Sequence, residues 1–172
     1  IRRPPRSTLS SSSAASDVYK RQNKDSEQII KLIRKCFKDY QNCFLDVDND
    51  SPELKYIYSY FHRQRGKFWV VEDKNKIIGC MGYLPSETNE IEIHKLYIDQ
   101  KFRRKGLAKY LVKKVENIAV RENKSKVFLW TDTRFKEAHK MYLKMDYEKS
   151  KKTRRLYDIS DTVEYNFVKH LR

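Results

Sequence analysis

A strand pattern, a basic turn and a long amphipathic helix follow one another over residues 90–122. The strand, EIEIHKLYID, carries three isoleucines and a tyrosine, which are residues that favour β-structure. The turn, QKFRRKG, ends at Gly106. Four apolar residues then recur at the spacing of a helical face: Leu107, Leu111, Val115 and Ile118. A strand that leads directly into an amphipathic helix predicts a sheet with this helix packed on one of its faces.

The apolar residues of this strand change face part-way along. Ile91 and Ile93 share one parity, whereas Leu96 and Ile98 share the other. A regular strand that buries one face keeps its apolar side chains in one parity. Two interpretations fit the pattern: a β-bulge between Ile93 and Leu96, which inserts one residue, or a strand that is buried on both faces.

Further elements are predicted on both sides of this segment. Helices are predicted after Asp25, over residues 54–66 and from Phe135 to Met145, and strands over 68–73, 77–83, 126–132, 147–157 and 162–168. Helices and strands do not alternate strictly, which favours an α+β fold with a mixed, mostly antiparallel sheet flanked by about four helices. Because 172 residues suit a single domain, we expect one domain over residues 23–172.

Residues 1–22 differ in composition from the rest of the chain. They are rich in serine and arginine and include the adjacent Pro4 and Pro5, so they cannot repay the entropy of ordering. They lack the apolar core of a secretory signal, while their composition would also fit a transit peptide. The string closely resembles translated sequencing-adaptor read-through. We therefore predict that residues 1–22 are a non-native or disordered segment outside the domain.

Charge and cysteine content limit the class of protein. A formal net charge of +15 would attract polyanions such as nucleic acid, acidic lipid or a phosphorylated cofactor. The chain has no run of about 18 apolar residues, which predicts that it has no membrane span. Cys36, Cys43 and Cys80 are an odd number of cysteines without a C-x-x-C pair, which favours free thiols in a reducing, cytoplasmic compartment.

The basic turn has the composition of an anion-binding site. The first N–H groups of a helix have no intrahelical partner and lie at the positive end of the helix dipole. Gly106 would let a ligand approach the backbone closely, and Arg103, Arg104 and Lys105 add positive charge. Charge-assisted hydrogen bonds contribute about 1.5–3 kcal/mol each, so about four or five of them could hold a pyrophosphate.

Arg103-x-x-Gly106-x-Ala108 resembles the R/Q-x-x-G-x-G/A signature of the GNAT superfamily of N-acetyltransferases. The signature follows E-I-x-x-L-Y-I at residues 92–98, and the stretch from Ala138 to Tyr147 is similar to the family's A-x-x-x-Y-x-x-x-G-F element. The resemblance covers residues 24 to about 170. It implies a GNAT-type acyl-CoA N-acyltransferase fold, with acetyl-CoA as co-substrate. The histidines and cysteines do not have the spacing of metal ligands, so we expect no metal.

The resemblance also implies how acetyl-CoA would bind. The pantetheine arm would lie along the backbone of one part of the strand, and the pyrophosphate would lie on the backbone N–H groups of the turn. The residues so implied are Leu96, Tyr97, Ile98, Arg103, Arg104, Lys105, Gly106, Leu107 and Ala108. The chain departs from the family at two positions, where Phe135 replaces a frequent asparagine and Asp146 replaces a glycine. Aspartate tolerates a left-handed backbone better than most residues, so the turn at Asp146 can survive.

Amine acetylation needs a neutral amine and a proton for the leaving thiolate. An alkyl amine with a pKa near 10 is neutral to about one part in a thousand at pH 7, so a general base assists. The resemblance places Glu92 at the family's base position, with Glu90 in reserve on the same face of a regular strand, and it places Tyr142 at the general-acid position. The structural alternatives are exposed strand carboxylates and a core aromatic residue.

Two further features have a structural and a functional interpretation. The loop that carries Asp46, Asp48, Asp50 and Glu53 is either a solvated loop or a region that draws a cationic amine. It does not match a calcium-binding EF-hand loop, because glycine is absent from its sixth position and glutamate from its twelfth. His94 lies on the cofactor strand and is interpreted mainly as a packing residue, with contact to substrate as the alternative.

Together these features predict an N-acetyltransferase that transfers the acetyl group of acetyl-CoA to a primary amine, by direct attack in a ternary complex. We expect a small-molecule amine or amino acid as acceptor, no membrane partner, no nucleic-acid partner, and a monomer or homodimer. The alternatives are a non-catalytic CoA-binding or regulatory domain of the same fold and a basic nucleic-acid-binding module. The basic run Lys151, Lys152, Arg154 and Arg155 would serve the second alternative, or simply be a solvated strand edge.

Overall fold

The computed structural model describes residues 17–20 and 25–171. Its strands are β1 Asp17–Lys20, β2 Lys67–Asp73, β3 Lys76–Pro85, β4 Glu90–Ile98, β5 Lys126–Asp132, β6 Glu148–Arg155 and β7 Val163–His170. Its α-helices are α1 Ser26–Phe37, α2 Ile57–Arg63, α3 Leu107–Arg121 and α4 Lys136–Leu143, and short 3₁₀ helices cover Pro52–Tyr56 and Gln100–Phe102. None of the helices in the described part of the chain has the length and apolar character that a membrane span requires.

The seven strands form one sheet in the order β1-β2-β3-β4-β5-β7-β6. All neighbouring strands are antiparallel except β4 and β5, which are parallel. The structure thus confirms the predicted α+β class and the mixed, mostly antiparallel sheet with four flanking α-helices.

Strand β1 lies within the segment that was predicted to be outside the domain. It pairs antiparallel with β2, with Asp17 opposite Glu72 and Lys20 opposite Trp69. These four residues therefore extend the edge of the sheet. Residues 1–16, 21 and 22 lie outside the described residues, so the prediction for that part of the segment, and the start of the domain at residue 23, stay predictions.

Two apolar clusters pack on opposite faces of the sheet. Phe68 and Val70 of β2 belong to the cluster with α1 and α2, whereas Trp69 and Val71 belong to the cluster with α3 and α4. Successive residues of a strand point to opposite faces, so β2 is a near-continuous apolar run that supplies both layers. The long helix α3 buries the predicted stripe, including Leu111 and Val115.

Strand β4 contains a bulge, the first of the two interpretations that its sequence allowed. Cys80 of β3 lies opposite Tyr97, and Gly82 lies opposite His94, so β4 has one residue more than β3 between these pairs. Lys95, within the bulge, has a positive φ of 54°. The extra residue explains why the apolar parity changes between Ile93 and the end of the strand.

The parallel pair β4 and β5 diverges just before the bulge. Residues Glu90 to Ile93 pair with Lys126 to Leu129, and the described residues contain no further pairing between these two strands. Beyond this point β5 continues to Asp132 and pairs only with β7, on its other side, among the described residues. A groove therefore opens between the C-terminal halves of β4 and β5.

Candidate active site

The groove between β4 and β5 has a volume of about 580 Å³. Ala138 and Tyr142 of α4 line it on one face of the sheet. Phe37 of α1 and the loop from Phe44 to Ser51 line it on the opposite face. The groove is therefore accessible to groups that approach from both faces of the sheet.

The predicted anion-binding turn lies at the C-terminal end of β4. Gly106 precedes α3 with a left-handed φ of +83°, and a Cβ placed on it would meet no atom within 4 Å. Arg104 also has a positive φ, and Arg104, Lys105 and Gly106 are exposed. The N–H groups of the first turn of α3 have no intrahelical partner. The turn from Arg104 to Gly106, called the cradle below, is thus open to solvent and leaves room for the anion that the sequence predicts there.

Arg103 has a different role from the one that its charge indicates. Its Nε donates to the carbonyl oxygen of Ile98 at 2.9 Å, and its Nη2 lies 2.8 Å from a carboxylate oxygen of Asp39. The guanidinium therefore ties the turn to the segment after α1. Arg104 and Lys105 are left as the exposed cations of the cradle, and Lys105 lies over the Phe102 ring at 5.1 Å.

The three residues predicted to hold the pantetheine arm are placed differently from one another. Leu96 and Tyr97 line the groove, next to the edge of β4 that β5 leaves. Ile98 buries its side chain, and its carbonyl accepts hydrogen bonds from Arg103 and from the Cys36 thiol, the latter at 3.5 Å. Leu96 and Tyr97 are therefore the two members of this set that are exposed to a ligand in the groove.

The two candidate bases, Glu92 and Glu90, lie in different surroundings. Glu92 lines the groove, and its Oε2 lies 3.4 Å from Nε2 of His94. Glu90 does not line the groove and forms an ion pair with Lys126 at 2.8 Å. The structure thus favours Glu92 over Glu90 as the carboxylate that a substrate in the groove would meet.

His94 was interpreted mainly as a packing residue, and the structure adds the groove to its surroundings. It lines the groove, and its buried Nε2 makes no hydrogen bond among the described residues. Its ring also contacts Phe61, with 6.0 Å between ring centroids. The spacing of two residues from Glu92 was the sequence signal for this pair, because residues i and i+2 share a strand face.

Tyr142 combines the two interpretations that its sequence allowed. It is buried, with 4% of its surface exposed, and its ring packs near those of Tyr147 and Phe167. It also lines the groove. Burial raises the pKa of the Tyr142 phenol, so the hydroxyl stays protonated and able to donate at neutral pH.

The two departures from the family pattern are accommodated. Asp146 has a left-handed φ of 64°, as expected at a position where the family has glycine. Phe135 lines the groove, and its ring centroid lies 4.6 Å from that of Tyr40 and 6.1 Å from that of Phe37. An aromatic wall therefore replaces the missing amide.

The acidic loop is held by internal contacts. Asp46 accepts hydrogen bonds from the backbone N–H groups of Asp48 and Asn49, at 2.9 and 3.0 Å. Asp48 pairs with Lys55, Glu53 pairs with Lys95, and Asp50 accepts from the N–H of Ile159. Asp46 and Asp50 line the groove. The described residues contain no cluster of His, Cys, Asp and Glu that could hold a metal ion.

The charge of the groove differs from that of the chain. Its lining includes six carboxylates, Asp46, Asp50, Glu92, Asp132, Asp158 and Glu164, and three basic residues, Lys95, Arg154 and Arg155. Each of the three basic side chains already forms an ion pair with an acidic residue. Two of the six carboxylates are paired as well, Asp132 with Arg134 and Glu164 with Arg154. The lining nevertheless has more carboxylates than lysines and arginines, in a chain whose formal net charge is +15.

The bulged strand β4 and the open turn at Gly106 are two of the segments that carry the sequence resemblance to the acetyltransferases. Residues 29–147 match the family model described as "Acetyltransferase (GNAT) family". The chain belongs to this family.

Curated relatives agree with the family. Human N-acetyltransferase 8 is 32% identical over 125 residues, which are 69% of this chain and 53% of that protein. Human N-acetylaspartate synthetase is 33% identical over 111 residues, which are 63% of this chain and 35% of that protein. The chain thus spans about half, or less, of the length of these relatives.

Solved structures share the fold. An acetyltransferase of the GNAT family from Staphylococcus aureus Mu50 has a TM-score of 0.78 at 19% identity, over 92% of this chain and all of that one. A protein from Bacillus anthracis that was solved in complex with acetyl coenzyme A has a TM-score of 0.58 at 21% identity, over 67% of this chain and 70% of that one.

Proposed function

We propose that this protein is an N-acetyltransferase that transfers the acetyl group of acetyl-CoA to a primary amine by direct attack in a ternary complex. The observation that carries the proposal is the groove between β4 and β5, which is lined from both faces of the sheet. A thioester that enters from the α4 face and an amine that enters from the loop face can meet there. No covalent enzyme intermediate is then required.

Acetyl-CoA would bind at the cradle and along β4. The free N–H groups around Gly106 would hold the pyrophosphate, with Arg104 and Lys105 as nearby cations. The backbone at Leu96 and Tyr97 would hold the pantetheine arm, in the part of β4 that does not pair with β5. A fold neighbour solved with acetyl coenzyme A supports this choice of co-substrate.

Glu92 would accept a proton from the amine. Supplying a neutral alkyl amine at pH 7 costs about 4 kcal/mol when nothing assists, so a carboxylate on the groove lowers the barrier. Nε2 of His94 lies 3.4 Å from Oε2 of Glu92, so the two side chains would act together as the proton acceptor. The proton could then pass from the amine to either group, directly or through one water.

Tyr142 would provide the proton for the leaving thiolate. Its raised pKa makes the phenol a weaker acid than free tyrosine but keeps it protonated. A thiolate of pKa about 8.5 would therefore gain first from the hydrogen bond of Tyr142, and from full proton transfer only as negative charge develops on sulfur.

The acceptor would be a small-molecule amine or an amino acid. One relative forms N-acetylaspartate, as its name states, which supports an amino acid. In this chain, however, six carboxylates face three basic residues in the groove, which favours a cationic amine over an acidic one. Within this group we favour small amines that carry a second positive charge.

Compartment and assembly belong to the same proposal. The three cysteines are free and buried, which supports the cytoplasm as the compartment. We further propose a monomer or homodimer without a nucleic-acid or membrane partner.

The test is to incubate the protein with acetyl-CoA and a panel of amines and to follow the release of the CoA thiol. We expect release only with acceptor amines, and a kcat about 10²- to 10⁴-fold lower in Glu92→Gln at pH 7, the range that a general base contributes. Glu90→Gln is the matched control, because it removes the same charge outside the groove, and its turnover should equal that of the wild type. Equal turnover of Glu92→Gln would remove Glu92 as the base.

The alternatives give different results. A non-catalytic CoA-binding domain would show saturable stabilisation by acetyl-CoA, about 2.7 kcal/mol at a hundred times Kd, without thiol release for any amine. A nucleic-acid-binding module would instead bind DNA or RNA with an affinity that falls steeply as salt increases.

A further inference from the structure

Three segments that are distant in sequence meet at one guanidinium group. Arg134, just after β5, places Nε 2.9 Å from a carboxylate oxygen of Asp132, and its Nη2 also donates to that carboxylate. Nη2 donates further to Oγ1 of Thr162 at 3.1 Å. Nη1 donates to the carbonyl oxygens of Asn42 and of Ser160. One side chain thus joins the end of β5 to the loop after α1 and to the β6–β7 connection.

The same two loops are also joined directly. Oγ of Ser160 accepts from the N–H of Phe44 at 2.7 Å and donates to its carbonyl at 3.1 Å. Asp50 accepts from the N–H of Ile159 at 3.1 Å. Asp158 accepts from both the N–H and Oγ1 of Thr162. The hydrogen bonds that start at Arg134 therefore continue into both loops.

These loops form the wall of the groove that faces away from α4. The loop after α1 lines the groove with Phe44 and Asp50, and the β6–β7 connection lines it with Tyr157 and Asp158. Arg134 itself does not line this groove. Its hydrogen bonds therefore affect the positions of the lining residues, but Arg134 does not itself contact a ligand in the groove.

Apolar packing holds the two loops unequally. In the loop after α1, Val47 is buried in the core, although Phe44 is 55% exposed. In the β6–β7 connection, Ile159 is 62% exposed and Tyr157 is 97% exposed. The carboxylate of Asp132, by contrast, is only 7% exposed and is paired with Arg134. A guanidinium offers five donors in a planar fork, whereas a lysine ammonium offers three donors at one point. Only arginine can reach the carboxylate, the hydroxyl and both carbonyls together.

We propose that Arg134 is a positioning residue that sets the relative placement of the two loops and thereby the affinity of the groove for the amine. The inference rests on the proposed function, because it assigns the loop face of the groove to the acceptor. The side-chain hydrogen bonds of Arg134 run to Asp132 and to the two loops, whereas the cradle at Gly106 lies in another segment. We therefore expect the substitution of this side chain to leave acetyl-CoA binding unchanged.

The experiment compares Arg134→Gln and Arg134→Lys with the wild type. We expect the KM for the amine to rise by about 10- to 100-fold in Arg134→Gln, the size expected when supporting contacts remote from the reaction shift a bound substrate. The KM for acetyl-CoA and kcat at saturating amine should stay unchanged. Arg134→Lys, which keeps the charge beside Asp132, should recover part of the loss.

The control is Arg121→Gln, which makes the same change on the exposed C-terminal turn of α3, where Nε donates only to the local carbonyl of Asn117. Its kinetic constants should equal those of the wild type. Ser160→Ala is the second variant, since it removes both bonds to Phe44 and leaves the Arg134–Asp132 pair intact. Ser160→Ala should also raise the KM for the amine, so the inference can be tested even if Arg134→Gln does not fold.

Hydrogen exchange provides a readout that does not depend on activity. Amides in residues 42–50 and 158–162 should exchange faster in Arg134→Gln and in Ser160→Ala, while those of α3 keep their wild-type rates. The inference is wrong if these loops exchange at wild-type rates, or if the two KM values rise together. A wild-type protein that acetylates no amine would overturn the proposed function, and the exchange rates would still decide whether Arg134 positions the loops.

Discussion

At the scale of single residues, Tyr142 has to serve both the core and the groove. Its ring centroid lies 5.6 Å from that of Tyr147 and 5.7 Å from that of Phe167, so the ring is part of the apolar layer under α4. Its hydroxyl is the only part that could act on a thioester. The two roles can be separated by a substitution that removes the oxygen and keeps the ring.

Tyr142→Phe should lower kcat by about 10²- to 10³-fold, within the range of general acid catalysis, and change the free energy of unfolding little, because the buried ring is retained. Steady-state kinetics and denaturant unfolding measure the two effects. Tyr147→Phe is the matched control, since Tyr147 is an equally buried neighbour that does not line the groove. Wild-type turnover in Tyr142→Phe would assign this tyrosine to the core alone.

Residues with local signatures could be predicted from the sequence, and residues with distant partners could not. Gly106 lies in a turn of distinctive composition, and Glu92 and Tyr142 lie in short motifs that resemble those of the family. Arg103 was expected to face the anion, but its partner Asp39 lies 64 residues away. Arg134 bonds to a carbonyl 92 residues away. Such pairings depend on tertiary contacts that no spacing in the sequence reports.

At the scale of elements, the cradle depends on the left-handed backbone that precedes α3. Arg104 and Gly106 both have positive φ, at 61° and 83°. Together they turn the chain from the end of β4 into the helix while leaving the first N–H groups exposed. Glycine adopts this conformation without strain, whereas a residue with a Cβ does not.

Gly106→Ala should lower the free energy of unfolding by roughly 1–2 kcal/mol, because alanine is strained at this φ, and should also weaken acetyl-CoA binding. Losing one charge-assisted hydrogen bond to the pyrophosphate corresponds to about a 10- to 100-fold increase in Kd. Calorimetry and chemical unfolding measure the two effects. Asn123→Ala, at φ 52° just beyond the other end of α3, is the control. It should lose similar stability with an unchanged Kd, and equal losses of affinity would contradict a role for the cradle.

Most elements were predictable because their patterns are periodic, and the exceptions have physical causes. The parity change in β4 allowed two interpretations, a bulge or a strand buried on both faces, and the register of β3 and β4 shows the bulge. The helix expected over residues 54–66 instead begins as a 3₁₀ turn at Pro52–Tyr56. Strand β1 was not predicted, because the serine-rich sequence before it does not indicate a strand. It is stabilised by pairing with the edge of β2.

At the scale of the whole molecule, one histidine stands where helix α4, strand β5 and strand β7 meet. Nε2 of His139 lies 2.9 Å from the carbonyl oxygen of Asp132, to which it donates as a neutral imidazole. Its ring stacks on Phe167 at 5.4 Å and meets Tyr165 at 5.6 Å. Burial lowers the pKa of His139, an effect that nearby Lys149 reinforces. The neutral form is therefore the one that fits the fold.

The stability of the whole domain should consequently fall as the pH decreases below about 6.5, the ordinary pKa of histidine. In that range the unfolded chain binds a proton at His139 and the folded chain does not, so protonation favours unfolding until the pH reaches the folded pKa. Above about 6.5 both states are neutral at this residue and it contributes no pH dependence. Chemical unfolding between pH 7.5 and 5.5, in about half-unit steps, measures the slope.

His139→Gln should be less stable than the wild type at every pH, because it loses the ring contacts, and its stability should depend less on pH between about 6.5 and 5.5. The exposed His62, which stacks on Tyr58, provides the control His62→Gln, in which a different histidine of the domain is removed. The carboxylates of Asp161 and Glu137, whose pKa values are lowered by Arg155 and Lys140, change stability only at more acidic pH. A slope that survives in His139→Gln would show that other groups link protonation to the folding of this domain.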